Sequence, residues 1–218
     1  MSSNAISRRS VILGAAGLAS TRSAFSQQNT RPGRGSGQFE THRFIEDVRQ
    51  AHAGGDAQKA VESVLERAVS HPAGVLSALG EQPAGIHPIF RSDNITILNV
   101  VWAPLMVLFP HNHNMWASIG IYSGREDNIL WERRGNVVAA QSAASLSTKE
   151  VFGLPADAIH SVTNPIGRRT GAIHIYGGDF FAPGRSEWDP ESLHERAWDI
   201  DAARTEFTKA AERFEAVR

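Results

Sequence analysis

Between Ile89 and Phe181 the chain is cut into short apolar, β-branched runs punctuated by Gly, Pro, Asn and Asp, a pattern that predicts a β-sandwich or barrel. Ile95-Thr96-Ile97-Leu98-Asn99-Val100-Val101-Trp102 is one run, and Leu105 to Pro110 is the next. The segments 116–122, 129–133, 137–144 and 172–176 follow with turn signals between them. The second run leads directly into His111-Asn112-His113. Alternate strand residues point to opposite faces, so His111 and His113 share one side and Asn112 takes the other. A further histidine, His160, follows 47 residues after His113 in a second strand-and-turn stretch. Two imidazoles from one strand and a third from a neighbour make one face of a metal site and leave open positions opposite.

Helical patterns flank the strands. Phe39, Phe44, Ile45 and Val48, then Ala60, Val61, Val64, Leu65 and Val69, recur at three- and four-residue steps, with Gly54-Gly55 dividing two helices. A third short helix is expected over Ala73 to Leu79, closed by Gly80, after which Pro83, Gly85 and Pro88 switch the pattern. The segment Trp188 to Arg218 reads as a closing helix with Asp201 as its cap and Ala202, Phe207, Ala210, Ala211 and Phe214 on the buried face. The fold class expected is mainly β, a jelly-roll barrel with N-terminal helices and a C-terminal helix.

The first 26 residues read as a twin-arginine export signal. Arg8-Arg9 precede a short, weakly apolar stretch from Val11 to Ala19, and Ala24-Phe25-Ser26 offers a small-x-small cleavage site. The stretch is shorter than the roughly 20 apolar residues of a membrane span. Residues 27–38 read as a flexible lead-in, and 39–218 as one domain with its flanking helices. This reading places the mature protein in the bacterial periplasm, taken there folded by the twin-arginine machinery and taken to be monomeric. Removing residues 1–26 deletes three arginines and no acid, so the formal charge falls from −1 to −4. No basic field remains to hold nucleic acid. The chain has no cysteine, which excludes disulfides, thiolate ligands and cysteine nucleophiles.

The two motifs, His111-x-His113 and His160 followed four residues later by Asn164, match the two-motif layout of cupins. A usual cupin adds a glutamate ligand four or five residues after the second histidine, where this chain has Ala117 and Ser118. Glu126 and Glu132 remain as candidate carboxylates, but the turn Gly124-Arg125-Glu126-Asp127-Asn128 reads as a solvated hairpin. The expected ligand set is therefore three neutral imidazoles, which leave a metal its full charge and favour an anionic co-ligand.

On these residues the chain resembles the thiol dioxygenases, the iron-dependent cupins that include cysteine dioxygenase and 3-mercaptopropionate dioxygenase. The resemblance covers roughly Arg91 to Phe181. It implies an Fe(II) centre on His111, His113 and His160 and addition of both atoms of O2 to a small thiol, giving a sulfinate. Ile173-His174-Ile175-Tyr176 is similar to the His-x-Tyr strand of that family. That likeness implies that Tyr176 donates to oxygen or to a substrate carboxylate, with His174 orienting it. Arg91 stands 20 residues before His111, comparable with the family's arginine that holds the substrate carboxylate. Met115, Trp116 and Trp102 are expected to wall off water. Two departures stand out: Ser118 replaces the cysteine that crosslinks to tyrosine in some members, and Ala172 replaces the serine of a Ser-His-Tyr relay in others. Two other readings fit the same motifs. One is a cupin acting on a non-thiol molecule with manganese, nickel or zinc, and the other is a non-catalytic cupin that binds a small ligand.

Overall fold

The computed structural model describes residues 39–216; the export signal and the lead-in lie outside the described residues. Helices α1 (Thr41–His52), α2 (Ala57–Val69) and α3 (Pro72–Leu79) come first, where the three- and four-residue periodicity places them. Asp56 caps α2 by accepting the Lys59 backbone N–H, Pro72 opens α3, and Gly80 ends it at φ +68°, a conformation that favours glycine.

Eleven strands follow: β1 (Gly85–Arg91), β2 (Thr96–Trp102), β3 (Val107–Asn112), β4 (Ala117–Ser123), β5 (Arg125–Arg134), β6 (Val137–Ser147), β7 (Val151–Leu154), β8 (Ile159–Thr163), β9 (Thr170–Tyr176), β10 (Ser186–Trp188) and β11 (Glu195–Ala197). They form two antiparallel sheets, ordered β1-β2-β9-β4-β7 and β11-β10-β3-β8-β5-β6. The chain passes from one sheet to the other between β2 and β3, β3 and β4, β4 and β5, β6 and β7, β7 and β8, β8 and β9, and β9 and β10. This is the double-stranded β-helix, or jelly roll. Strand β1 begins earlier than the sequence suggests and contains Pro88. The proline is tolerated because β1 is an edge strand and the register shifts between Pro88 and Phe90.

One core lies between the sheets. Leu98, Val100, Ala117 and Ile119 of the five-stranded sheet meet Leu108, Leu146 and Val162 of the other. A second core fills the outer face of the five-stranded sheet, where Ile97, Ile173 and Ile175 pack on Val61, Leu65 and Val75 of the helices. The approach there is close: a Cβ on Gly120 would stand 2.7 Å from Leu65 Cγ. Leu65 is fully buried, and burying such a side chain contributes about 1.5–3 kcal/mol.

The C-terminal segment differs from its sequence reading. Residues 186–188 and 195–197 are short strands, and α4 (Ile200–Ala216) starts twelve residues later than Trp188. The cause is Asp189-Pro190: the Asp189 carboxylate accepts the backbone N–H groups of Glu191 and Ser192 and makes a turn that no helix crosses. Asp199, not Asp201, caps α4, its Oδ1 accepting the Asp201 N–H at 2.8 Å. Phe207 and Ala210 are buried as expected, with Ala203 beside them, while Ala202, Ala211 and Phe214 are half-buried. Among the described residues no helix is long and apolar enough to cross a membrane.

Candidate metal centre

Strands β3 and β8 bring the histidines together. His111 is paired directly across the ladder with His160, and His113 follows one residue after β3 ends. Ring centroids are 4.5 Å apart for His111 and His160, 4.9 Å for His113 and His160, and 5.0 Å for His111 and His113. One ring nitrogen from each lies within 4.8 Å of the others. All three side chains are buried.

The remaining ring nitrogens decide how the rings present themselves. His111 Nδ1–H donates to the Phe109 carbonyl at 3.0 Å, and His160 Nδ1–H donates to Asn128 Oδ1 at 2.7 Å. Both tautomers leave a lone pair on Nε2, the atom a metal would take, and His160 Nε2 lies 3.4 Å from His113 Nε2. Burial, with the nearby Arg185 charge, holds His111 and His113 below the usual imidazole range, His111 down to about 3. Burial also lowers His160, with His111 the next cause. Neutral imidazoles converging in a dry site are the donor set that a divalent transition metal takes, so the residues fit such an ion.

Tyr176 and His174 stand against this cluster. Tyr176 packs on the His113 ring at 4.8 Å, and its hydroxyl lies 3.1 Å from His174 Nδ1. Burial raises the Tyr176 pKa above its ordinary value, so the phenol stays protonated. A narrow cavity of about 20 Å³ opens between His111, His160, His174 and Tyr176 on one side and Val100, Phe180 and Trp198 on the other. That is room for about one water.

Three sequence expectations change. Glu126 is fully buried rather than solvated: β5 begins at Arg125, so Arg125 points outward while Glu126 and Asn128 point inward. Its carboxylate accepts the Trp102 indole N–H at 2.6 Å and the Asn128 amide at 3.1 Å, and lies 3.3 Å from His174 Nε2. Its partners in the alternating pattern, Asn128 and Leu130, were the available signal. Arg91 is not brought to the cavity. Its guanidinium makes two 2.8 Å hydrogen bonds with Asp179 at the surface, and its side chain is 53% exposed. Of the expected apolar wall only Trp102 lines the cavity. Trp116 packs toward His52 on the helical side, and Met115 covers Gly178.

The buried cation near the cluster is Arg185, which the sequence reading did not single out. It lies between the Phe180 and Trp198 rings, 4.4 and 4.3 Å from their centroids, and both rings line the cavity. Nε donates to the Asn112 carbonyl and Nη1 to the Phe180 carbonyl, both at 2.9 Å, while Nη2 is buried with no partner. Burial lowers its pKa to about 10, so it remains charged at neutral pH. Ser118 faces α2, its hydroxyl donating to Glu62, and is remote from Tyr176's hydroxyl side. Asn164 serves the loop before β9, donating to the carbonyls of Ala103 and Arg168.

No protein-family model matches the chain, and no curated protein matches it by sequence. Solved structures similar to it include a variant of oxalate decarboxylase from Bacillus subtilis, at 13% identity and TM-score 0.35, covering 42% of this chain and 23% of that one. The chain therefore spans under a quarter of that protein's length. A protein from Bacillus halodurans is similar at 14% identity and TM-score 0.44, over 52% of this chain and 83% of that one. A cupin superfamily protein from Desulfitobacterium hafniense is similar at 15% identity and TM-score 0.38, over 48% and 88% of the two chains. The strand order and sheet pairing of this chain are those of a double-stranded β-helix, mainly β, with helices before it and one after, and its interior carries a three-histidine group able to hold a metal.

Proposed function

We propose that this chain is a non-haem iron(II) dioxygenase that oxidises a small thiol to its sulfinate. The single observation that carries this reading is a set of three buried imidazoles with no carboxylate among them, beside a hydrogen-bonded His174–Tyr176 pair. The overall change, RSH + O2 → RSO2H, balances without a further reductant: sulfur gives up four electrons and both oxygen atoms end on it. Fe(II), which His111, His113 and His160 would hold, would relieve the spin barrier between a thiolate and O2.

The chain's own groups support an anionic substrate. Three neutral imidazoles leave the metal charge uncompensated, and the buried Arg185 adds a second positive group next to it. A thiolate meets the first and an anionic tail the second. This assignment replaces Arg91, whose guanidinium is already committed to Asp179. Tyr176, held by His174, would orient the substrate, while Phe180, Trp198 and Trp102 keep water away. The cavity, with room for about one water, would take a substrate of a few heavy atoms only if the Phe180 and Trp198 rings moved aside.

The test is metal analysis of protein purified without added metal or chelator, with oxygen uptake on cysteine, cysteamine and 3-mercaptopropionate. Iron near one per chain with uptake on one thiol and its sulfinate as product is the expected result. Manganese, nickel or zinc at that stoichiometry, or iron without uptake on any thiol, would turn the reading to a cupin acting on a non-thiol molecule. Metal without turnover on any small molecule would favour a binding protein. We further propose a monomer delivered to the periplasm by the twin-arginine machinery. Changing Arg8 and Arg9 to Lys should hold it in the cytoplasm on fractionation.

A further inference from the structure

Glu126 is the hub of a buried hydrogen-bond chain that joins Tyr176 at one end to His160 at the other. Oε2 accepts the Trp102 indole N–H at 2.6 Å and lies 3.3 Å from His174 Nε2. Oε1 accepts the Asn128 amide N–H at 3.1 Å, and Asn128 Oδ1 accepts His160 Nδ1–H at 2.7 Å. Beyond His174, Nδ1 lies 3.1 Å from the Tyr176 hydroxyl. Glu126 comes from the six-stranded sheet and His174 from the five-stranded one, so their contact bridges the barrel interior.

The polarity of this chain follows from what each group can offer. An indole N–H only donates. The Asn128 amide is turned so that its oxygen meets His160 and its nitrogen meets Glu126. Glu126 is thus ringed by donors, the setting of an acceptor-only carboxylate. A carboxylate facing His174 Nε2 calls for a proton on that nitrogen. With that single proton on Nε2, Nδ1 keeps a lone pair and the Tyr176 hydroxyl donates to it. The Tyr176 oxygen then turns its lone pairs to the cavity.

We propose that Glu126 is a positioning residue that fixes His174 as the Nε2–H tautomer, so that Tyr176 meets its ligand as a hydrogen-bond acceptor. The substrate group against Tyr176 is then a donor, such as an ammonium or hydroxyl. This reverses the direction that the likeness to thiol dioxygenases implies for Tyr176. The role in turnover rests on the dioxygenase reading, but the tautomer does not.

The experiment is long-range 1H–15N NMR on full-length protein labelled with 15N-histidine, both metal-free and loaded with Zn(II), a diamagnetic probe. His174 is assigned by its loss in His174→Asn. The expected wild-type spectrum shows Nε2 protonated and Nδ1 with the shift of a bare, hydrogen-bonded nitrogen. In Glu126→Leu the acceptor is gone, and a buried N–H without a partner is costly. His174 should then change to Nδ1–H, with metal content kept. His174 found as Nδ1–H or as the doubly protonated imidazolium in the wild type, or remaining Nε2–H in Glu126→Leu, would overturn the proposal. Should Glu126→Leu not fold, the wild-type spectrum decides alone. The expected tautomers with no thiol oxidised would sink the dioxygenase reading and leave the Glu126 assignment standing.

Discussion

The two sheets of the barrel carry different halves of the site. The six-stranded sheet supplies the three-histidine group able to hold a metal: His111 and His160 face each other on β3 and β8, and His113 follows β3. The five-stranded sheet supplies His174 and Tyr176, both on β9, and Trp102 on β2. One half is a rigid nitrogen cage with its outer nitrogens tied to Phe109 and Asn128. The other is a polar relay that holds a hydroxyl beside that cage. The two halves are joined through Glu126 and Asn128 of the six-stranded sheet, so mutations that spare those two should affect metal binding and ligand handling separately.

The comparison breaks most sharply at the ligand sheet. His160→Ala should take bound metal from near one per chain to near zero by elemental analysis and abolish turnover, since a cage missing one of three donors no longer holds the ion. On the opposite sheet, Tyr176→Phe should keep the metal and lower kcat by about 100-fold, the scale of a positioned polar group in catalysis. Loss of metal in Tyr176→Phe would contradict the separation. The arginines sharpen it further. Arg185→Met should raise KM for an anionic thiol by roughly 10-fold or more, as expected for a lost hydrogen bond to a charged group. Arg91→Met should change it by less than about twofold, because an exposed ion pair contributes little.

Stability gives a comparison of another kind, read on the metal-free protein. Burial holds the three ligand histidines below their usual pKa, while in the unfolded chain they titrate near about 6.5. Below that value the unfolded state binds more protons than the folded state. Stability of the metal-free protein is thus full above about pH 6.5 and declines as the pH falls toward the folded pKa values, by at most roughly 1.4 kcal/mol per histidine per pH unit. Urea midpoints measured at about pH 7.5 and 5 should fall accordingly, in a window above the ordinary carboxylate range. An unchanged midpoint would mean that the imidazoles gain water or protons without unfolding.

Much of this was legible in the sequence because it is periodic. The three- and four-residue steps around Val61 and Leu65, and the two-residue step from His111 to His113, are local rules that the folded chain keeps. What escaped depends on partners distant in sequence. Glu126 looks like a turn residue beside Arg125 and Asp127, and only the arrival of Trp102 and His174 from other strands makes its burial tolerable. Arg91 and Arg185 are chemically alike, and what separates them is Asp179 beside one and the Phe180 and Trp198 rings around the other. Asp189-Pro190 signals a turn between β10 and β11, but the helical spacing of the residues after it masks the break.

The direct pairing of His111 with His160 has a consequence for folding. The two strands are far apart in the chain, and their register shifts between Leu108 and His111. A slip of β8 by one residue would turn His160 to the outside of the barrel and leave His111 and His113 as a two-point cage. Metal uptake on the three histidines would therefore report correct strand alignment. A chain holding an ion there would already have assembled its barrel in register.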